Sequence, residues 1–341
     1  MISITNIADK INGHFEGNPD LLIEDVCELK GGVKNCISFI THPKYIDLYI
    51  ESNATAVIAD MTIDLPESSK MVIRVNNPSL AFNKVSELFR PKPTIKVGIH
   101  NSAVISNSAS IGDNVSLGAN VVIEDYAVIG NNVCIGSNSS IGRNSVVGNN
   151  STIMTNVAVY HDVNIGSDVH IDSGTAIGAD GFGLITEKGI HHRIPHTGTV
   201  KIEDHVAIGT NCSIDRGTIN STRIGKYSKL DNLIQIAHNA VIGKGCIIAG
   251  QSGVAGSTVL GDYVTIGGRS GVVGHIEVGD NCVIAATTLV TKTLKAGSFV
   301  SGNPAREHLL RKKQEAVINQ LPELLKRVRV LEQELDSIKK D

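Results

Sequence analysis

The 341-residue sequence contains no tryptophan, and aromatic residues make up only 4% of it. Bulky aromatics fill thick, enclosed cores, so their scarcity points to a thin and repetitive architecture. Neither sign of charge is in excess: 31 Lys and Arg against 34 Asp and Glu leave a net charge of −3. That balance excludes the basic footprint of a nucleic-acid binder. No apolar run approaches the roughly 18 residues of a membrane-crossing helix. The first twenty residues also lack the basic stretch and apolar run of a secretory signal. The six cysteines include no CxxC pair and no zinc-like spacing, and they read as reduced, mostly buried thiols. These absences together imply a soluble, cytoplasmic protein.

A strict period of six is present. From Ile99, every sixth residue is aliphatic through Ile105, Ile111, Leu117 and onward to Ile177. The register resumes at Ile202, Ile208 and Ile214, and again from Ile224 through Val290. A period of six fits neither an α-helix nor a single alternating strand. It fits short strands joined by tight turns, three hexapeptides to a triangular coil, with the aliphatic residues pointing inward. Coils of eighteen residues stack at about 4.8 Å, so residues eighteen apart lie one above another. Cys246 and Cys282 are thirty-six apart and share an inward position, which reads as packing rather than a nucleophile. Two breaks interrupt the register: GADGFGLITEKGIHHRIPHTG after Ile177 and DRGTINSTR after Ile214. Each is either a variable surface loop or a loop reaching over a substrate or a neighbouring subunit.

Three modules follow. Residues 1–95 mix apolar runs with a helical pattern near Ser79–Phe89 and read as a small α/β domain, with Pro91 and Pro93 in the linker. Residues 96–303 form the solenoid, closed by GNPA at Gly302–Ala305. Residues 304–341 form a C-terminal helical segment, on which Leu321, Leu324, Leu325, Val328, Leu331, Leu335 and Ile338 share one face. That stripe is short for a lone helix and implies packing against its counterparts, in a homotrimer.

The period also places chemistry. His238 lies two residues after Ile236, Gly256 occupies the same position one coil higher, and His275 lies two coils higher, displaced by one residue. The three line one edge over about 10 Å. Asp231 precedes His238 by seven residues and is a candidate to orient an imidazole of its own or a neighbouring subunit. A histidine of pKa about 6.5 suits general-base work, and a glycine lets a backbone N–H approach an oxyanion. Taken alone, a histidine on a solenoid edge is more often an ordinary surface residue. The cluster HHRIPH (His191–His196) lacks ligand spacing, so no metal and no cofactor are expected.

The repeat resembles the hexapeptide-repeat transferases, whose coils wind left-handed; the handedness comes from the resemblance and not from the period. The expected fold is therefore mainly β: a left-handed parallel β-helix with a small N-terminal α/β domain and a C-terminal helix. GADGFG (Gly178–Gly183), IPHTG (Ile194–Gly198), SIDRGT (Ser213–Thr218), DNLIQIAHNAVIG (Asp231–Gly243) and GHIEVGD (Gly274–Asp280) are more specific. With ISFITHPKY (Ile37–Tyr45) and VNNPSLAF (Val75–Phe82), they resemble the UDP-3-O-acylglucosamine N-acyltransferase family of lipid A biosynthesis over essentially the whole chain.

The resemblance implies His238 as general base, Asp231 as its orienting carboxylate and Gly256 as the oxyanion-binding glycine. It implies Asn232 and His275 near the sugar or phosphates, Phe39 and Tyr45 around the uracil, and Leu289 at the floor of an acyl channel. Two positions depart from the family pattern: His42 stands where asparagine is expected and His196 where glutamine is expected. The implied reaction moves a 3-hydroxyacyl chain from acyl carrier protein to the 2-amino group of UDP-3-O-(3-hydroxyacyl)glucosamine. Arg306, Arg311, Lys312 and Lys313 offer a basic surface to that acidic carrier. The alternatives are an O-acyltransferase on UDP-N-acetylglucosamine, an enzyme using acetyl-CoA and a small acceptor, and a non-catalytic sugar-binding solenoid.

Overall fold

A computed structural model describes residues 1–90, 97–302 and 308–338. The chain divides into two compact units, Met1–Thr94 and Ile95–Asp341. Pro91 and Pro93, most of GNPA, and Arg306 lie outside the described residues, as do the side chains of Arg311 and Lys312.

The first unit is built on a five-stranded sheet ordered His14–Phe15, Met71–Val75, Ala56–Asp60, Cys36–Ile40, Asp25–Val26. All pairings are parallel except that of His14–Phe15 with Met71–Val75. Side chains alternate across the pleat. Ile37, Ala56, Ile58 and Ile73 therefore pack with Ile4, Ile7 and Val85 of helices Ile4–Ile11 and Pro78–Phe89. Ile40, Val57 and Ala59 pack on the other face with Tyr49 of helix Ile46–Glu51. Asn77 caps the helix Pro78–Phe89 by accepting from Leu80 N at 3.0 Å, and Pro78 takes a first-turn position that needs no N–H.

The second unit is a three-sided parallel β-solenoid of strands two to four residues long, with sheets of nine, eleven and ten strands. The register confirms the eighteen-residue coil: Leu117 pairs with Ile135, Ile135 with Ile153 and Ile153 with Ile171. From Leu117 to Val290 the inward aliphatics are buried. In the first coil they are not: Ile99 is 53% exposed, and Ile105 and Ile111 are half-buried. A first coil has a neighbour on one side only.

The corners explain the abundant asparagines. Asn114, Asn120, Asn132, Asn138, Asn144, Asn150 and Asn156 all have φ between 55° and 61°. That left-handed conformation costs an ordinary residue about 1–2 kcal/mol, and asparagine tolerates it best after glycine. Their carboxamides also bond from coil to coil, Asn114 Nδ2 to Asn132 Oδ1 at 3.2 Å and Asn132 Nδ2 to Asn150 Oδ1 at 3.0 Å.

Small hydroxyls stitch the interior. Ser139 Oγ donates to Met154 O at 2.8 Å and accepts from Val157 N at 3.0 Å. Cys246 and Cys282 sit in the equivalent inward position, where their thiols donate to Gly261 O and Lys295 O. All six cysteines are free, and burial pushes the Cys246 thiol up. The packing role expected for these two holds.

The coil resumes after each break, with one bulge where Ala179 rather than Gly178 pairs with Asp215. Ile165 pairs with Ile202, 37 residues on, and Ile202 with Ile224. The first break folds as a hairpin of Leu184–Glu187 with Ile190–Arg193, all eight residues exposed. Its turn places Lys188 and Gly189 both at positive φ, as a two-residue hairpin of matching twist requires.

The C-terminal helix runs from His308 to Ile338, 31 residues, and contains Pro322. It is thus longer than the apolar stripe suggests, by more than three turns toward the N-terminus. Leu321, Leu324, Leu325, Val328, Leu331 and Leu335 are 41–55% exposed.

Candidate active site

His238 stands at the corner between strands Gln235–Ile236 and Val241–Ile242. Its backbone O accepts from Ser257 N at 2.9 Å, and Gly256 O accepts from His275 N at 3.2 Å. The three predicted residues therefore do line one corner. The imidazole abuts Gly256 through its Nε2 side, where an added Cβ would come within 2.6 Å of His238 Nε2. A side chain there would displace the ring. No acceptor faces the Gly256 N–H among the described residues, whereas Asp113 N and Lys244 N at other corners are taken by Asn131 and Asp262.

The tautomer of His238 follows from its neighbours. Asn239 Oδ1 accepts from Thr218 N at 2.9 Å, which fixes that atom as oxygen. His238 Nδ1 lies 3.2 Å from the same oxygen and 3.4 Å from Thr218 Oγ1, so Nδ1 carries the proton. The Nε2 lone pair then faces Gly256.

Both breaks in the repeat converge on this corner. A Cβ on Gly181 would lie 2.9 Å from His238 Cβ and 3.1 Å from His196 Nε2. His196 meets His238 edge to face, with ring centroids 5.5 Å apart. Asp215 is 8% exposed; its Oδ2 accepts from Gln235 Nε2 at 2.9 Å. Burial pushes the Asp215 carboxyl up, opposed by the bonds from Gln235 and Ser213 and by the proximity of His238 and His196. Arg216, 1% exposed, turns the other way and donates to Gly178 O at 2.6 Å and His161 O at 2.7 Å. It ties the start of the long loop to the coil below. The same corner borders a groove of about 810 Å³ lined by Lys201, Asn220, Arg223, Asn239 and Ser257.

The family model described as UDP-3-O-(3-hydroxymyristoyl) glucosamine N-acyltransferase matches residues 20–88, and the hexapeptide-transferase model matches 108–147, 221–256 and 257–292. The UDP-3-O-acylglucosamine N-acyltransferase of Methylacidiphilum infernorum is 48% identical over 98% of this chain and 95% of its own. That of Methylobacillus flagellatus is 43% identical, again over 98% and 95%. The chain belongs to the UDP-3-O-acylglucosamine N-acyltransferase family. Among solved structures, an Arabidopsis UDP-N-acetylglucosamine acyltransferase is similar with a TM-score of 0.55 and 26% identity, over 60% of this chain and 71% of that one.

As a member of the UDP-3-O-acylglucosamine N-acyltransferase family, the chain is an acyltransferase, and its other expected site residues can be located. Asp231 is on the preceding corner, where its Oδ2 accepts from Gly250 N at 2.9 Å. Within one chain its hydrogen bond goes to that amide, and the partner of His238 Nδ1 is Asn239. Asn232 Oδ1 accepts from Thr210 N at 2.7 Å. His275 is exposed at φ 61°. Leu289, 66% exposed, borders a hollow of about 210 Å³ with Val290, Leu294 and Val300.

In the first unit the Phe39 ring stacks on Phe82, with centroids 4.4 Å apart. Tyr45 is on the surface, with the Lys44 ammonium 4.8 Å from its ring centre. His42 caps the turn Pro43–Tyr45 through Nδ1, which accepts from Lys44 N at 3.1 Å. Of the expected basic surface, Lys313 is exposed. No described helix is long and apolar enough to cross a membrane. No group of three or more metal-ligating side chains gathers among the described residues.

Sequence reasoning missed Thr218, Asn239, Asp215, Gln235, Gly181 and Arg216. Gly181, Asp215, Arg216 and Thr218 lie inside GADGFG and SIDRGT, and Gln235 and Asn239 inside DNLIQIAHNAVIG. Only the folded coil reveals their contacts.

Proposed function

We propose that the chain transfers a 3-hydroxyacyl group from the thioester of acyl carrier protein to the 2-amino group of UDP-3-O-(3-hydroxyacyl)glucosamine, in lipid A biosynthesis. The observation that carries this reading is the pairing of a free imidazole lone pair with an unengaged backbone N–H at one corner. His238 Nδ1–H is committed to Asn239, which leaves Nε2 to take a proton from the attacking nitrogen. The Gly256 N–H beside it is free to meet the oxyanion that develops as the thioester carbonyl is attacked. The proton on Nε2 then passes to the departing sulfur. Lys201 and Arg223, in the groove that starts at the same corner, favour an anionic nucleotide-sugar.

Asn232 and His275 act on the substrate in this reading, and Asp231 orients the imidazole of a neighbouring subunit. Leu289 limits the acyl chain. Tyr45 and Phe39, with His42, receive the uracil, and the basic residues near Lys313 dock the carrier. The chain works in the cytoplasm in this reading, and the exposed apolar stripe Leu321–Leu335 supports its assembly as a homotrimer.

The test is His238→Ala. It should preserve the assembly and the melting temperature and remove nearly all turnover of the amino-sugar. Near-normal turnover refutes the assignment. Offering UDP-N-acetylglucosamine beside the free-amine sugar separates this reaction from O-acylation.

A further inference from the structure

His196 carries a polar atom that the reaction above leaves unused. Its Nδ1 lies 2.8 Å from Ile194 O; a carbonyl only accepts, so Nδ1 holds the proton and Nε2 presents a lone pair. The residue is 6% exposed, and Nε2 is one of only two buried side-chain atoms among the described residues without a partner. Such an atom in a native fold calls for an explanation. It points toward the corner: Gly181, against which it lies, also touches His238, and a Cβ on Gly183 would come within 2.9 Å of His196 Cε1. Two glycines border the ring where any side chain would collide with it. Both imidazoles lie close enough to Asp215 to oppose the rise that burial gives its carboxyl.

Acylating an amine needs more than one base. An amine of ordinary α-amino basicity, pKa about 7.7–8.0, meets the enzyme largely as an ammonium near neutral pH. It must lose one proton before it has a lone pair and a second as the C–N bond forms. A hydroxyl acceptor loses only one.

Resting on the function proposed above, we infer that His196 Nε2 is a second proton acceptor, which takes the first proton of the incoming ammonium. The steps balance. The N–H bond of the ammonium breaks toward His196 Nε2, and the freed amine attacks the thioester carbon. His238 takes the second proton and returns it to the sulfur as the C–S bond breaks. The products are amide and thiol, and His196 releases its proton to solvent. The titratable groups packed around His196 are His238 and Asp215; Arg216 and Asp180 pair with each other at 4.0 Å on the adjoining stretch.

The experiment is a pH profile of kcat/KM for the UDP-amino-sugar, with 3-hydroxyacyl-acyl carrier protein as donor, in the native protein and in His196→Gln. Glutamine keeps an acceptor oxygen and cannot take the proton. The native profile should be level between about pH 6.5 and 8, from the reference values of histidine and an α-amine. The variant should match it near pH 8.5 and fall about tenfold per pH unit below the amine's pKa, with added imidazole restoring the loss. Parallel profiles would overturn the inference and assign Nε2 to an internal water. A measurement on the native protein covers a variant that fails to fold: the ¹⁵N signal of His196 Nε2 should become that of a protonated nitrogen when the UDP-amino-sugar binds at pH about 7.5. A signal that stays unprotonated also refutes the idea. Absence of native turnover at every pH would instead refute the function itself.

Discussion

Gly256→Ala isolates the geometry at the corner. The backbone of Gly256 is not in the left-handed region, so alanine brings no strain of its own. Its methyl would lie 2.6 Å from His238 Nε2 and 2.7 Å from Cε1. Normal contact is about 3.5 Å, so the ring must retreat by about 1 Å. A misplacement of that size costs about a hundredfold in rate, or about 2.7 kcal/mol of transition-state stabilisation. The ring is half-buried and can swing outward, so the stability cost should stay near 1 kcal/mol. Gly253→Ala is the control: it lies on the adjoining strand of the same coil, and its nearest neighbour, Gln235 O, is 4.0 Å from the added methyl. Initial rates with the acyl carrier protein thioester and melting temperatures should show Gly256→Ala folded and slow, and Gly253→Ala folded and near-native. In a His238→Ala background, Gly256→Ala should add almost nothing. Native-like turnover in Gly256→Ala, or an equal loss in Gly253→Ala, would refute the reasoning.

Three further outcomes follow from the geometry. Arg216→Met strips the carbonyls of Gly178 and His161 of their donor and should cost about 3 kcal/mol in chemical denaturation, with faster proteolytic cleavage in 178–201. Asp215 is pushed up by burial, so its native-state advantage is complete below the unfolded carboxyl's pKa and is lost as pH rises through the higher folded value. Asp215→Asn should therefore gain melting temperature relative to the native chain as pH climbs from about 4 to 7, while turnover falls; a constant difference across that range contradicts this. Asn132→Ala should cost about 1–2 kcal/mol for a φ of 57°, and Asn132→Gly clearly less; equal melting temperatures for the two variants would show that the corner conformation carries no penalty.

The period of six in Ile99–Val290 made the coil and its inward residues readable before any coordinate, because burial acts on every sixth residue alike. It placed His238, Gly256 and His275 along one edge but did not say which side chains bond there. Asp231, seven residues before His238, reads as a carboxylate for an imidazole of its own or a neighbouring subunit; within one chain it caps Gly250. The partner of His238 is the adjacent Asn239, whose role depends on a bond from Thr218, twenty-one residues earlier in sequence. The breaks were visible as lost register, but their convergence on His238 depends on Arg216 and two glycines whose contacts leave no periodic trace. Phe39 shows the same limit, since its packing against Phe82 joins two motifs that sequence order keeps apart.

The solenoid also dictates how motion is distributed along the chain. Each coil touches only the coil above and the coil below, so opening propagates from the ends as a zipper does. Strand Gln235–Ile236, which leads into the corner, has three strands beyond it in its sheet and six before it. Amide hydrogen exchange should accordingly be graded along the axis, fast in the outermost coils and slow at the centre. The protein can shed order at its tips while the distance between imidazole and glycine is left untouched.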